Sequence, residues 1–159
     1  AAAGGCPAPP YRTLPPHLRR QVAIGEITKS EYATMARDAE SLAQGFLDSS
    51  LAASLASAGL ESEVPFVLHR SIGSAEAWIY GQIDLLAEAE VATVVDFKTD
   101  RLYRPQAHRL QLALYREAAE ELTGKQVRAV VYYLRDGVVE EAGPTPELSG
   151  ELLEASNTI

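Results

Sequence analysis

The chain has 159 residues, 47% of them apolar and 23% charged, and a net charge of −8. This suits one globular domain; it excludes a disordered tail, a collagen and a membrane helix, because no apolar run approaches about 18 residues. One cysteine, Cys6, excludes an internal disulfide, a four-cysteine zinc site and a cysteine-held iron–sulfur cluster. The opening AAAGGCPAPP has neither the basic nor the apolar stretch of a signal peptide, so a cytoplasmic protein is expected.

In chain order, residues 1–27 read as a flexible lead-in, rich in Ala, Gly and Pro at its start. Helix is expected from Thr28 to Ala58. Thr28 and Glu31 have capping-box spacing, and Tyr32, Met35, Ala39, Leu42, Ala43, Phe46 and Leu47 form one apolar stripe. Gly45 or the Ser49-Ser50 pair is the expected break in it. Glu61–His69 reads as a strand with Val64, Phe66 and Leu68 on one face. Ala77–Leu86 reads as a second, with Ile79, Ile83 and Leu85 inward and Trp78 in the core. Val91–Lys98 is a third, after a turn at Glu88–Glu90. A helix follows from Pro105 to about Leu122, with Leu110, Leu114 and Ala118 facing the core and Gly124 as its cap. Gln126–Leu134 is a fourth strand, and Asp136-Gly137 turns the chain into Val138–Glu141. The folded domain is therefore placed at residues 28–143, with an acidic tail at 144–159. The order of elements predicts a mixed α/β (α+β) fold, a central mixed sheet of four to five strands flanked by helices.

Charge is distributed unevenly. Residues 41–97 hold one basic and eight acidic side chains, and residues 117–159 three and nine; between them, residues 98–116 hold five basic side chains and one acidic. Such an island can touch phosphates locally while its acidic flanks limit non-specific binding; it can equally be a solvated helix face.

Asp84 falls at the end of the second strand, and Asp96 and Lys98 at the end of the third. Residues two apart share a strand face, so Asp96 and Lys98 point the same way. If the hairpin turns on Glu90, Asp84 lies opposite Asp96, and cross-strand partners have Cβ atoms about 4.5–5.5 Å apart. Two carboxylates so close repel unless a divalent cation lies between them. Mg2+ takes one or two carboxylates and fills its remaining positions with water and phosphate oxygens. The plain alternative is two strand-end aspartates with Lys98 as their salt-bridge partner.

GQIDLL (Gly81–Leu86), VVDFKTDR (Val94–Arg101) and QLALY (Gln111–Tyr115), preceded by Glu63-Val64-Pro65-Phe66, resemble the ordered motifs of RecB/AddA-type nucleases in the PD-(D/E)xK superfamily. The resemblance spans roughly residues 35–135. It implies a restriction-endonuclease-like core and a Mg2+-dependent DNA exonuclease module, with Mn2+ able to substitute, in a helicase–nuclease system of DNA repair and recombination. Asp84, Asp96 and the backbone carbonyl of Phe97 would hold the metal, and Lys98 would be the catalytic lysine. Gln111 and Tyr115 would hold DNA and support the site, with His108, Arg101 and Arg104 as further DNA contacts and Glu63 as an additional site residue. The implied partners are DNA and a UvrD-like helicase in the same chain or complex, with no membrane; the chain, which carries no helicase motif, would be an isolated or excised domain. The family usually carries a histidine or glutamate on its first core helix. The helix at 28–58 has no histidine, and Glu31 or Glu40 could substitute. That departure raises the alternative of a catalytically silent nuclease-fold module that binds DNA or docks on a helicase.

Overall fold

The structure, a computed structural model, describes residues 27–72, 75–100 and 105–141. Two compact units divide the chain, Ala1–Gln44 and Gly45–Ile159. The boundary falls inside the first helix, α1 (Lys29–Leu47).

The start of α1 is fixed locally. The backbone N–H of Thr28 donates to Glu31 Oε2 (2.8 Å) and the N–H of Glu31 donates to Thr28 Oγ1 (3.1 Å). This is the capping box expected from the spacing, and it holds the Glu31 carboxyl below its ordinary pKa, chiefly through the bonds from Thr28. Glu31 is thereby engaged in capping. The expected apolar stripe is not sealed, since Met35 is 54% exposed and Leu47 is exposed too.

In the second unit the helix breaks after Leu47, not at Gly45. Ser49 adopts extended backbone and its Oγ accepts the N–H of Ala52 (3.1 Å), capping a short helix, α2 (Ser50–Leu55). Five strands follow: β1 (Gly59–Ile72), β2 (Ala75–Glu88), β3 (Ala92–Lys98), β4 (Val127–Tyr133) and β5 (Val138–Glu141). A helix, α3 (Pro105–Thr123), crosses from β3 to β4. The sheet order is β1-β2-β3-β4-β5, with β3 and β4 parallel and the other pairs antiparallel. Gly124, at φ +66, takes the left-handed conformation that ends α3, its N–H donating to the carbonyl of Glu120 (2.8 Å). Gly137, at φ +67, turns β4 into β5, as expected from Asp136-Gly137.

The sheet has a core on each face, and neighbouring strand residues go to opposite sides. Phe66, Leu68, Ile83, Leu86, Val94, Ala129, Val131 and Tyr133 pack with Leu112, Tyr115, Ala118 and Ala119 of α3. Ala87, Val95, Val130 and Tyr132 pack with Leu51 and Leu55 of α2, flanked by Phe46, Leu85 and Phe97. Two expectations change here. The fully buried stripe of α3 is Leu112, Tyr115, Ala118 and Ala119; of the expected Leu110, Leu114 and Ala118, Ala118 lies in it, Leu114 packs against it half-buried, and Leu110 does not join it. Ile83 packs on the α3 face but Leu85 on the other, so β2 changes face at Asp84.

Candidate functional site

The β2–β3 ladder pairs Ala87 with Thr93, Leu86 with Val94 and Leu85 with Val95, then stops. Asp84 and Asp96 would form the next rung, in the register expected from a turn at Glu90. The strands instead part here. The N–H of Phe97 donates to Asp84 Oδ2 (2.9 Å), so a side chain takes the donor that a continued ladder would have used. On the other side of β2, β1 and β2 pair on both sides of Glu63 and Asp84 but not at that rung. Glu63 has φ 55, a left-handed conformation uncommon for a residue with a side chain. Two strand irregularities therefore meet at Asp84.

Asp96 is 1% exposed. Its Oδ1 accepts from Lys98 Nζ at 3.0 Å. Lys98 Nζ also lies 2.8 Å from Oδ2, but as an ion contact, because Oδ2 has no hydrogen-bond donor among the described residues. Burial pushes the Asp96 carboxyl up from its ordinary pKa; Lys98 opposes the rise and the charge of Asp84 adds to it.

Lys98 is positioned from α3. Its Nζ donates to Gln111 Oε1 (3.1 Å), and Gln111 Nε2 donates to the Tyr115 hydroxyl (2.8 Å). Gln111 and Tyr115 are four apart on one helix face. Burial raises the Tyr115 pKa, so the phenol stays protonated at neutral pH. The Tyr115 ring packs edge-on against Phe66 (centroids 5.7 Å apart). Phe66 lies over Gly81, its cross-strand partner: a Cβ on Gly81 would sit 2.3 Å from Phe66 Cζ. A continuous chain of contacts thus joins Gly81, Phe66, Tyr115, Gln111, Lys98 and Asp96.

Glycine at 81 is a packing requirement, and Phe66 is the anchor behind the polar relay. The Phe66–Tyr115 contact was not foreseen from the sequence; an apolar residue of one motif placed across from the glycine of the next was its available signal.

His108, 14% exposed, lies one turn before Gln111; its Nε2 is buried without a hydrogen-bond partner among the described residues, 3.9 Å from Asp100 Oδ2. Its charge is among those felt by Asp96. Glu63 is exposed. Arg101 and Arg104 lie outside the described residues, as do Cys6, His17 and the tail at 144–159. Trp78 is not a core residue: it is 62% exposed on the outer face of the β1–β2 hairpin.

The donor set suits a hard divalent cation. Two carboxylates meet where a ladder opens, and one of them, Asp96, is buried with both oxygens turned to the Lys98 ammonium. Among the described residues no cluster of three or more His, Cys, Asp or Glu side chains surrounds the place. Mg2+ takes one or two carboxylates and completes its shell with water and phosphate oxygens, a demand that Asp84 and Asp96 can meet.

A mixed sheet carrying Asp84 on one strand end and the D-x-K of Asp96 to Lys98 on its neighbour defines a class. The family model described as the PD-(D/E)XK nuclease superfamily matches residues 11–157, and the chain belongs to that superfamily. It is 35% identical over 89 residues to an ATP-dependent helicase/nuclease subunit from Anoxybacillus flavithermus, an alignment covering 50% of this chain and 7% of that relative. Among solved structures, the protein SSO0001 aligns over 89% of this chain and 68% of its own, with a TM-score of 0.49 and 21% identity. A candidate exonuclease from Eubacterium rectale aligns over 75% of this chain and 48% of its own, with a TM-score of 0.44 and 17% identity. No helix among the described residues is long and apolar enough to cross a membrane.

Proposed function

We propose that the chain is the nuclease module of a helicase–nuclease system of DNA repair and recombination, a Mg2+-dependent exonuclease on DNA in which Mn2+ substitutes. The observation that carries this reading is the joining of Asp84, Asp96 and Lys98 at one opened ladder end, with the lysine pinned from α3 by Gln111. The likeness to a helicase/nuclease subunit supports the helicase partner. Asp84, Asp96 and the Phe97 carbonyl hold the cation. When bound, the cation supplies a Lewis acid that polarises the phosphodiester and lowers the pKa of a water. Lys98 uses two of its three N–H donors on Asp96 and Gln111; the third donates to the attacking water or to charge building on the phosphate oxygens. Gln111 and Tyr115 fix the lysine rotamer, so the ammonium is oriented before substrate arrives. His108 donates to a neighbouring phosphate; Arg101 and Arg104 add charge-assisted contacts to the backbone.

The test is degradation of end-labelled linear single-stranded DNA with Mg2+ or Mn2+, comparing this chain with Lys98→Ala and Asp84→Ala. Both variants should lose at least about 100-fold in rate while keeping the circular dichroism of the parent. Equal cutting by either variant overturns the site.

The closed Asp96–Lys98 ion pair favours a second reading, a silent nuclease-fold module that binds DNA or docks on a helicase. It is the correct one if the parent binds DNA, leaves it intact with either metal, and takes up no Mn2+ in an Asp84-dependent way.

A further inference from the structure

Gln111, which holds the Lys98 ammonium, sits in the first half of α3, and the second half of the helix is tied to the edge strand of the sheet. Phe66, Leu68 and Arg70 alternate along one face of β1, the face that α3 covers. Arg70 Nε donates to Glu117 Oε1, Nη2 donates to Glu121 Oε1, and Nη1 donates to the carbonyl of His69 (2.6 Å). All three nitrogens of the guanidinium are engaged, so the group is committed to this link and its rotamer is fixed. The link lies largely out of water: Arg70 is 24% exposed and Glu117 27%. Glu117 Oε2 is buried without a hydrogen-bond partner among the described residues. Glu117 and Glu121 are four apart on the helix, where like charges repel, and the guanidinium between them reverses the sign.

We infer that Arg70 is a positioning residue for Lys98: it fixes the rotation of α3 about its axis and so the place of Gln111, an inference that rests on the proposed function. The apolar layer leaves that rotation partly open. Ala118 and Ala119, two of the four residues of the fully buried stripe, let α3 lie close to the sheet, but their side chains are too short to lock into grooves. Leu112 and Tyr115 anchor the helix near Gln111, and Arg70 grips it further on. Without Arg70, the part-buried Glu117 carboxylate loses the cation that neutralises it, and a turn of the helix toward water is the way to solvate it. Side chains reach about 5–6 Å from a helix axis, so a turn of about 10° displaces a side-chain tip by about 1 Å. The Gln111–Lys98 bond, at 3.1 Å, has no slack for such a shift. A misplacement of about 1 Å can cost about 100-fold in rate. An ion pair without this role would leave Lys98 untouched by its loss.

The experiment labels the full chain with trace acetic anhydride, without DNA or metal, and reads its three lysines by mass spectrometry. An ammonium that donates to Asp96 and Gln111 reacts slowly, and the ratio of Lys98 labelling to that of Lys29 and Lys125 reports its release. Gln111→Ala, which removes the acceptor itself, sets the upper limit. Arg70→Ala should raise the ratio at least about threefold. Arg70→Lys, a point charge without the fork that spans both carboxylates, should fall between parent and Arg70→Ala. Arg70→Glu/Glu117→Arg restores the attraction with the charges exchanged and should return the ratio toward the parental value. Leu51→Ala loses stability on the α2 face and should leave the ratio parental. On DNA, Arg70→Ala should lower kcat at least about tenfold and leave KM near the parental value. A parental Lys98 ratio in folded Arg70→Ala overturns the inference. So does a rise of equal size in Leu51→Ala, which would tie labelling to stability alone. The link and the nuclease reading fail separately. A raised ratio in Arg70→Ala with no cutting by the parent leaves the positioning role standing without the enzyme; cutting by the parent with a parental ratio and kcat in Arg70→Ala leaves the enzyme without that role.

Discussion

On the face under α3, Phe66, Tyr115 and Leu112 share a layer with Gln111 and Lys98, and the same side chains that fill the core orient the polar group. On the opposite face, Leu51 and Leu55 of α2 pack on Ala87, Val95, Val130 and Tyr132, and the Tyr132 hydroxyl donates to the Gly45 carbonyl (3.3 Å). Residues next to each other in β3 separate into these two roles: Val95 and Phe97 go to the α2 face, Asp96 and Lys98 to the α3 face. A loss of packing should therefore read out differently on the two sides. Under α3 it disturbs the lysine; under α2 it costs stability alone.

The largest effect expected on this contrast comes from Phe66→Ala against Leu51→Ala. Removing the Phe66 ring should cost about 3–5 kcal/mol in urea unfolding and Leu51→Ala about 2–5 kcal/mol. Under conditions where both are fully folded, Phe66→Ala should cut DNA more slowly than the parent and Leu51→Ala at the parental rate. Equal rates in the two variants would break the contrast. Gly81→Ala comes next. Its Cβ would meet Phe66 Cζ at 2.3 Å, so ring or strand must move, at about 1–3 kcal/mol. The double variant Phe66→Leu/Gly81→Ala should recover part of that loss; strictly additive losses would show that Gly81 serves something other than the ring.

What was legible in the sequence follows the range of the interaction behind it. Thr28 and Glu31, or Asp136-Gly137, act within a few residues, and their geometry is as expected. The register that sets Asp84 toward Asp96 followed from counting back from Glu90, although the ladder itself ends one rung short, at Leu85 and Val95. Side-chain alternation marks two faces of β2 but does not say which one a helix covers, and that is why Trp78 was misplaced. Leu110, Leu112 and Leu114 lie at three different angles around one helix, and the docking of α3 buries Leu112 with Tyr115 and Ala119 and leaves Leu114 half-buried at the margin of the same core. The Lys98–Gln111 bond has the same origin: it exists only where α3 lies over β3. The change of face at Asp84 is likewise non-local, since it depends on Glu63 in the neighbouring strand as well as on β2.

Asp96 sharpens the contrast through pH. Its raised pKa means that the folded chain keeps a proton that the unfolded chain releases near pH 4. The stability this group contributes is present below that pH and is lost as the pH rises through the folded value. Parent stability should therefore decline between about pH 4 and the raised pKa. Asp96→Asn should remove the decline and be the more stable chain at pH 7 without metal. Mg2+ or Mn2+ should raise the melting temperature of the parent at pH 7 and leave that of Asp96→Asn unchanged. A parent profile that climbs over the same window would show that Lys98 outweighs burial.

The smallest effect concerns α2 alone. Ser49→Ala removes the oxygen that accepts the Ala52 N–H and leaves the first turn of a six-residue helix without its cap. The loss should be about 1 kcal/mol in urea unfolding. Leu51 and Leu55 hold α2 to the sheet by burial, so a frayed first turn should not free the helix. The Lys98 ammonium is held by Asp96 and Gln111, and no described side chain of the α2 face bonds to it, so the cutting rate should stay parental. A rate that fell along with stability would mean that the two faces communicate through β3, by way of Val95 and Phe97 to Asp96.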